Sequence, residues 1–212
     1  MIQAVFFDFD GTLIDSIPAH VIAWERILGE IGIELDDHYV QMNEGEKAED
    51  TVSRLLSEHG IDYTTEQQAD LIERKRKLYR SMAPKGLIPE AIDLLKELGR
   101  RNIACDIVTG SIRSNIEAVL SPEEFALFRY IYTPTEYGKG KPAPDPYATA
   151  LNRSGLKAFE CMAFENAPLG VKSAKAAGLR TVAITTTLPP QYLSEADYVI
   201  HNFVDFLPLL DS

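Results

Sequence analysis

The chain has 212 residues, 45% hydrophobic and 25% charged, with a net charge of −11. Those are ordinary globular values, and the length suits one large domain or a core with a small second unit. So acidic a chain should repel nucleic acid and anionic membranes, although a small anionic substrate could still bind at a local positive site. No apolar run is long enough to span a bilayer. The first residues lack the basic region of a signal peptide. Cys105 and Cys161 lie in apolar, strand-like runs and read as reduced core residues, so the expected location is the cytoplasm.

Ala4 to Asp8 is near-continuously apolar and reads as a buried strand. From Ser16 to Ile31 the period changes. Ile17, Val21, Trp24, Leu28 and Ile31 share one helical face, with Ser16 as the expected N-cap and Pro18 in the first turn. Residues 35 to 83 contain no strand-like run and read as helical. One helix is expected over Ala48 to His59, stopped by Gly60, and a second, heavily charged one over Glu66 to Met82. From Pro89 the pattern becomes α/β. Helices are expected over 89–98, 112–120, 145–154 and 167–177, with a capping box at Ser121-Pro122-Glu123-Glu124. Strands are expected over 104–108, 130–132, 161–164, 181–184 and 198–200. The segment 185–193 reads as a loop with no chemistry assigned.

Strands that alternate with helices predict a doubly wound, mainly parallel, Rossmann-like sheet. Since the first strand belongs to that sheet, the helices of 16–83 form an insertion. The expected division is therefore a core of 1–15 with 84–212, and a helical unit of 16–83. In such sheets ligands bind at the carboxyl ends of the strands. Asp8 and Asp10, Thr109-Gly110-Ser111, Lys139 and Lys141, and Glu165-Asn166 all stand at or just beyond those ends. Two acids one residue apart at a strand mouth are costly unless something compensates them.

The stretches "DFDGTLIDS", "VTGS", "GKPAPDPY" and "FENAPLGVKSAKAAG" resemble the four motifs of the haloacid dehalogenase superfamily, in order along the chain. The branch most resembled is that of β-phosphoglucomutases and sugar-phosphate phosphatases, with an inserted helical cap. The resemblance implies an aspartyl-phosphate mechanism with Asp8 as nucleophile and Asp10 as general acid–base. Gly11 would let the chain turn, Thr109, Gly110 and Ser111 would cradle the phosphoryl group, and Lys141 would neutralise charge. It also implies a Mg²⁺ ion on Asp8, the Asp10 carbonyl, Glu165 and Asn166. The family usually has aspartate where this chain has Asn166, so a weaker site is expected. On the cap, the resemblance implies His20, Trp24 and Lys75 as substrate-facing residues, with Lys47 a further candidate. The mutases carry an arginine where this chain has Ala48, and Arg113 is a candidate replacement. The implied partner is a small phosphorylated metabolite acted on by a monomer. Two activities follow, a Mg²⁺-dependent phosphatase or a β-phosphoglucomutase-like phosphomutase. Asn166 alone suggests a third class, a non-catalytic phosphate-binding protein.

Overall fold

β1 (Ala4–Phe7) is apolar at every position because both of its faces are covered. The computed structural model describes residues 1–211. Val5 and Phe7 enter one apolar cluster, and Ala4 and Phe6 enter another on the opposite face. That alternation is the period of two of a strand buried on both sides. β1 is followed by α1 (Ile17–Gly29), α2 (Asp37–Met42), α3 (Ala48–Glu58), α4 (Thr65–Met82) and α5 (Pro89–Arg100). Then come β2 (Ala104–Val108), α6 (Arg113–Glu117), α7 (Pro122–Phe125), β3 (Tyr130–Tyr132) and α8 (Asp145–Ser154). β4 (Cys161–Glu165), α9 (Pro168–Ala176), β5 (Arg180–Ile184) and β6 (Tyr198–Ile200) complete the sheet, and 3₁₀ turns over Phe203–Asp211 pack behind it.

All six strands are parallel, in the order β3-β2-β1-β4-β5-β6. β1 pairs with β2 on one side and β4 on the other, with Phe7 opposite Ile107 and Phe164. The strand order reverses there, so the carboxyl end of β1 is the topological switch point where doubly wound sheets bind ligands.

The helices between β1 and α5 carry an apolar cluster of their own, with Ile17, Trp24, Leu28, Val52, Leu55 and Leu71 in its centre. Ala19, Ala23 and Tyr79 of α1 and α4 instead join the main core beneath them. The insert is thus a small helical layer with one wall shared with the sheet domain.

Three local expectations change. Ser16 makes no capping hydrogen bond to α1, because its hydroxyl is turned into the site described next. α6 covers only Arg113–Glu117, a short piece of the stretch from 112 to 120. α2 is a separate short helix capped by Asp36, with Val40 its one buried residue. It has too few apolar positions to show a period. The capping boxes at Ser121 and Thr64 are both formed.

Candidate active site

The chain leaves β1 with Asp8 still in the ladder, its N–H donating to the Phe164 carbonyl at 2.9 Å. Asp8 and Asp10 are both buried, and Phe9 between them packs into the main core. The N–H groups of Thr12, Leu13 and Ile14 fold back on the Phe9 carbonyl, forming a tight turn. Gly11 has φ +77°, and a Cβ there would lie 2.3 Å from Asn166 Nδ2. Glycine is needed at this turn for its backbone angle and for its space.

Asp8 meets a lysine. Lys141 Nζ donates to Asp8 Oδ1 and to Glu165 Oε1, both at 2.6 Å. Tyr147 also donates to Glu165 Oε1 at 2.6 Å. Burial opposes charge on Lys141, but the two carboxylates overcome it and hold the ammonium protonated. For Asp8, burial pushes the carboxyl up to about 7, with Glu165 and Asp10 adding to the effect and Lys141 opposing it. Asp8 Oδ2 is the one buried side-chain oxygen or nitrogen without a partner among the described residues. An unpartnered buried carboxylate oxygen is costly and suits a cation or an incoming electrophile.

Asp10 is the opposite case. Ser16 Oγ (2.7 Å), His20 Nε2 (3.0 Å) and Tyr79 OH (3.1 Å) donate to its Oδ1, and Ser111 Oγ donates to Oδ2 at 2.6 Å. Burial would raise its pKa, but His20 and the hydrogen bonds from His20, Ser111 and Ser16 hold it well below the usual carboxylate range. Three of the four donors come from the helical insert. Lys75 Nζ donates to His20 Nδ1 at 2.7 Å and lies 4.5 Å from the Trp24 ring centre. An ammonium has no acceptor, so Nδ1 is the acceptor and the proton of a neutral His20 is on Nε2, directed at Asp10. Burial and the nearby Lys75 charge both depress the His20 pKa, and Asp10 opposes them. Burial lowers Lys75 to about 8, with Glu44 and Asp10 resisting.

Thr109 and Ser111 form a short turn at the end of β2, with the Ser111 N–H donating to Thr109 Oγ1 at 2.9 Å. Gly110 lies directly under the insert, and a Cβ on it would come within 2.6 Å of the Gly45 carbonyl. The insert is therefore closed on the sheet domain. Between them lies a cavity of about 50 Å³, walled by His20, Trp24, Tyr39, Glu44, Lys75 and Ser111 among others. That holds roughly three or four waters, so a larger ligand can enter only when the insert lifts.

Matching to known families gives the same answer as this geometry. The model of the haloacid dehalogenase-like hydrolases matches residues 5–184. The chain belongs to that family. It is 31% identical to hexitol phosphatase A of Escherichia coli, over 94% of this chain and 91% of that one. It is 29% identical to the β-phosphoglucomutase of Bacillus subtilis, over 96% and 91%. The crystal structure of CbbY from Rhodobacter sphaeroides in complex with phosphate superposes with a TM-score of 0.83. That match has 25% identity and full coverage of both chains.

Within this haloacid dehalogenase-like hydrolase, Asp8, Asp10, Thr109, Ser111, Lys141, Glu165 and Asn166 converge on one rim, and His20, Trp24 and Lys75 face it from the insert. Two candidates do not join them. Lys47 reaches across to the core, donates to the carbonyls of Gly138 and Tyr137, and lies over the Tyr137 ring, outside the cavity wall. Arg113 is exposed and paired with Glu117 at 3.1 Å, one turn along its own helix. Both side chains found nearer partners than the substrate space.

The residues fit a Mg²⁺ ion, though with fewer free ligands than expected. Asp8 Oδ2 is open. Glu165 is committed to Lys141, Tyr147 and the Asn166 N–H. Asn166 accepts from Thr12 at 3.0 Å and donates to Thr187 at 2.8 Å, leaving one lone pair on its oxygen. Thr187 belongs to the loop read as having no chemistry, and it braces a site residue instead. Asp10, His20 and Glu44 also have ligand atoms within 4.8 Å of one another. That group is a poor metal site, because His20 Nε2 already carries the proton it gives to Asp10.

Sequence reasoning passed over Tyr79, Tyr147, Glu44, Thr12 and Thr187. For Tyr79 a signal existed, since it falls four residues after Lys75 and hence on the same helical face. Thr12 also had one, lying two residues after Asp10; Tyr147, Glu44 and Thr187 reach the site through loops or a distant helix, where spacing says nothing about proximity.

Proposed function

We propose that this protein is a Mg²⁺-dependent phosphatase of a small phosphomonoester, a phosphosugar or polyol phosphate, acting through an aspartyl-phosphate. Its parts would be a core of residues 1–15 and 84–212 and a cap of 16–83. It would work as a monomer on a soluble cytoplasmic metabolite. The carrying observation is the unequal treatment of the two acids: Asp8 has an unpartnered oxygen beside a charged lysine, and Asp10 is saturated by donors from the insert. The phosphatases among its relatives support the same reading.

In this reading Asp8 attacks phosphorus, the ester P–O bond breaks, and the departing alcohol takes a proton from Asp10. Asp10 then takes a proton from water, which attacks phosphorus, frees Asp8 and releases inorganic phosphate. Lys141 offsets charge on Asp8 and the phosphoryl oxygens throughout, and Glu165 and Tyr147 hold Lys141 in place. Asp10 needs a proton for the first half. An arriving phosphate dianion favours its uptake, since a like charge raises a carboxylate's pKa. Asp8, the Asp10 carbonyl and Asn166 would hold Mg²⁺, which screens the repulsion between carboxylate and phosphate.

The second reading, a phosphomutase, draws on the Lys75–His20–Asp10 chain and the β-phosphoglucomutase relative. Against it, the cations around the cavity already have partners. Arg76 pairs with Glu49 at 2.7 Å, Arg54 with Glu46 at 2.7 Å, and Lys75 is held by His20. A mutase must grip a second phosphate, and for that Arg76 and Arg54 would have to leave their carboxylates.

Phosphate release from a panel of phosphomonoesters with Mg²⁺ tests the proposal. Release is expected, and Asp8→Asn should reduce it by about a thousandfold or more. Conversion of β-glucose 1-phosphate to the 6-phosphate, primed by the bisphosphate and without net hydrolysis, would establish the mutase instead.

A further inference from the structure

Glu44 is the cavity side chain that the chemistry above leaves without a task. It lies between α2 and α3, beside Gly45, with its carboxylate within 4.8 Å of both Asp10 and the His20 ring. The other acids nearby are committed. Glu46 accepts from Thr51 Oγ1 and Arg54, each at 2.7 Å, and Glu49 is held by Arg76. Burial and the nearby Asp10 and Asp8 carboxylates push the Glu44 carboxyl up to about 8, with Lys75 and the Gly45 N–H opposing them. It is also where the substrate must pass. With phosphorus at Asp8 and the ester oxygen at Asp10, the organic end extends into the cavity between Glu44, His20 and the Trp24–Tyr39 wall.

We infer that Glu44 selects substrates whose organic end carries hydroxyl groups and no second anion, that is, polyol or sugar monophosphates rather than bisphosphates. The inference rests on the reading that the phosphoryl group is bound at Asp8. An ionised Glu44 accepts hydrogen bonds from hydroxyls and repels a second phosphate. A protonated Glu44 still accepts from a hydroxyl but offers a dianion only one donor. Of the cations in the cavity wall, Lys75 is held by His20 and Arg76 by Glu49, so with Glu44 ionised discrimination comes from a repulsive element as well as an attractive one. Such a side chain also disfavours any bisphosphate intermediate.

The test is calorimetric binding with Mg²⁺, in the Asp8→Asn protein so that no turnover intervenes. The probes are a hexose 6-phosphate and the corresponding hexose 1,6-bisphosphate. The monophosphate is expected to bind about tenfold tighter or more. Glu44→Gln, which keeps the shape and cannot ionise, should shrink that preference by about threefold or more above pH 8. Glu44→Lys should invert it. An unchanged ratio in both Glu44 variants, a bisphosphate preference with Glu44 intact, or binding of neither probe would overturn the inference. Phosphate release is scored separately on protein with Asp8 intact. Failure of the phosphatase reading and failure of this selection are thus read from different assays.

Discussion

The Glu165 carboxylate lies against the first turn of α9, where a Cβ on Gly170 would come within 2.0 Å of Oε1. Alanine there must push Glu165 away, and with it one of the two anchors of Lys141. Overpacking of this kind costs about 1–3 kcal/mol, and a small misplacement at a reacting centre costs about a hundredfold in rate. Gly170→Ala is therefore expected to lower the urea midpoint moderately and phosphate release severely. Normal turnover in a destabilised protein would show that Glu165 need not be where it is. Asn166 gives a second residue-scale prediction. Asn166→Asp can still accept from Thr12, can accept from the Thr187 hydroxyl where the amide donated to it, and adds a negative charge beside Asp8. Calorimetry should show Mg²⁺ binding tighter by about threefold or more. An unchanged affinity would mean that residue 166 serves as a tie between loops and not as a ligand.

At the scale of elements, what could be read from the sequence follows from burial. The sheet strands are covered on both faces, so their apolar runs mark them with little error at either end. α5 is visible because Ala91, Leu94, Leu95 and Leu98 form one stripe. The insert was legible as helical but its chemistry was only half visible. The basic run of α4 has an exposed side, as a charged run usually does, yet Lys75 and Tyr79 within it are buried against the site. Asp106 shows what no local pattern can reveal. It is a buried acid inside β2, made acceptable by Arg129 from twenty-three residues away. Lys47 belongs here too. Its position just before α3 read as substrate-facing, but its ammonium ties the insert to the loop that ends in Lys141. Tyr137 in that loop also donates to the Thr109 carbonyl at 2.7 Å, so the tie reaches the ends of both β2 and the Lys141 loop. A hydrogen bond from a charged group is worth about 1.5–3 kcal/mol, with the low end fitting an accessible one. Lys47→Ala is expected to lower kcat/KM by roughly tenfold and to speed hydrogen exchange over residues 43–47. If exchange speeds up while kcat/KM holds, closure is not what limits turnover.

For the whole molecule, the two halves of the site meet only when the insert is down. Asp8, Lys141 and Glu165 belong to the sheet domain, and most of Asp10's donors do not. On the proposed mechanism, closure would complete the proton-handling half and exclude water, and opening would admit the substrate. Gly110 allows these to be separated. Its φ lies outside the left-handed region, so alanine suits its own backbone, and the conflict is with the Gly45 carbonyl across the interface, 2.6 Å from a Cβ. A backbone atom cannot move aside as a side chain can, so the insert must stay lifted. Gly→Ala at a compatible position stabilises by about 0.4–1 kcal/mol through the unfolded state. Gly110→Ala is expected to keep or slightly raise the melting temperature while kcat/KM falls by about tenfold or more. Phosphate with Mg²⁺ should then protect residues 43–47 from hydrogen exchange in the unaltered protein and fail to do so in the variant. Equal protection in both would mean that the loop settles over the ligand without the contact at Gly110, and that the closed geometry is not the one in which the two acids act together.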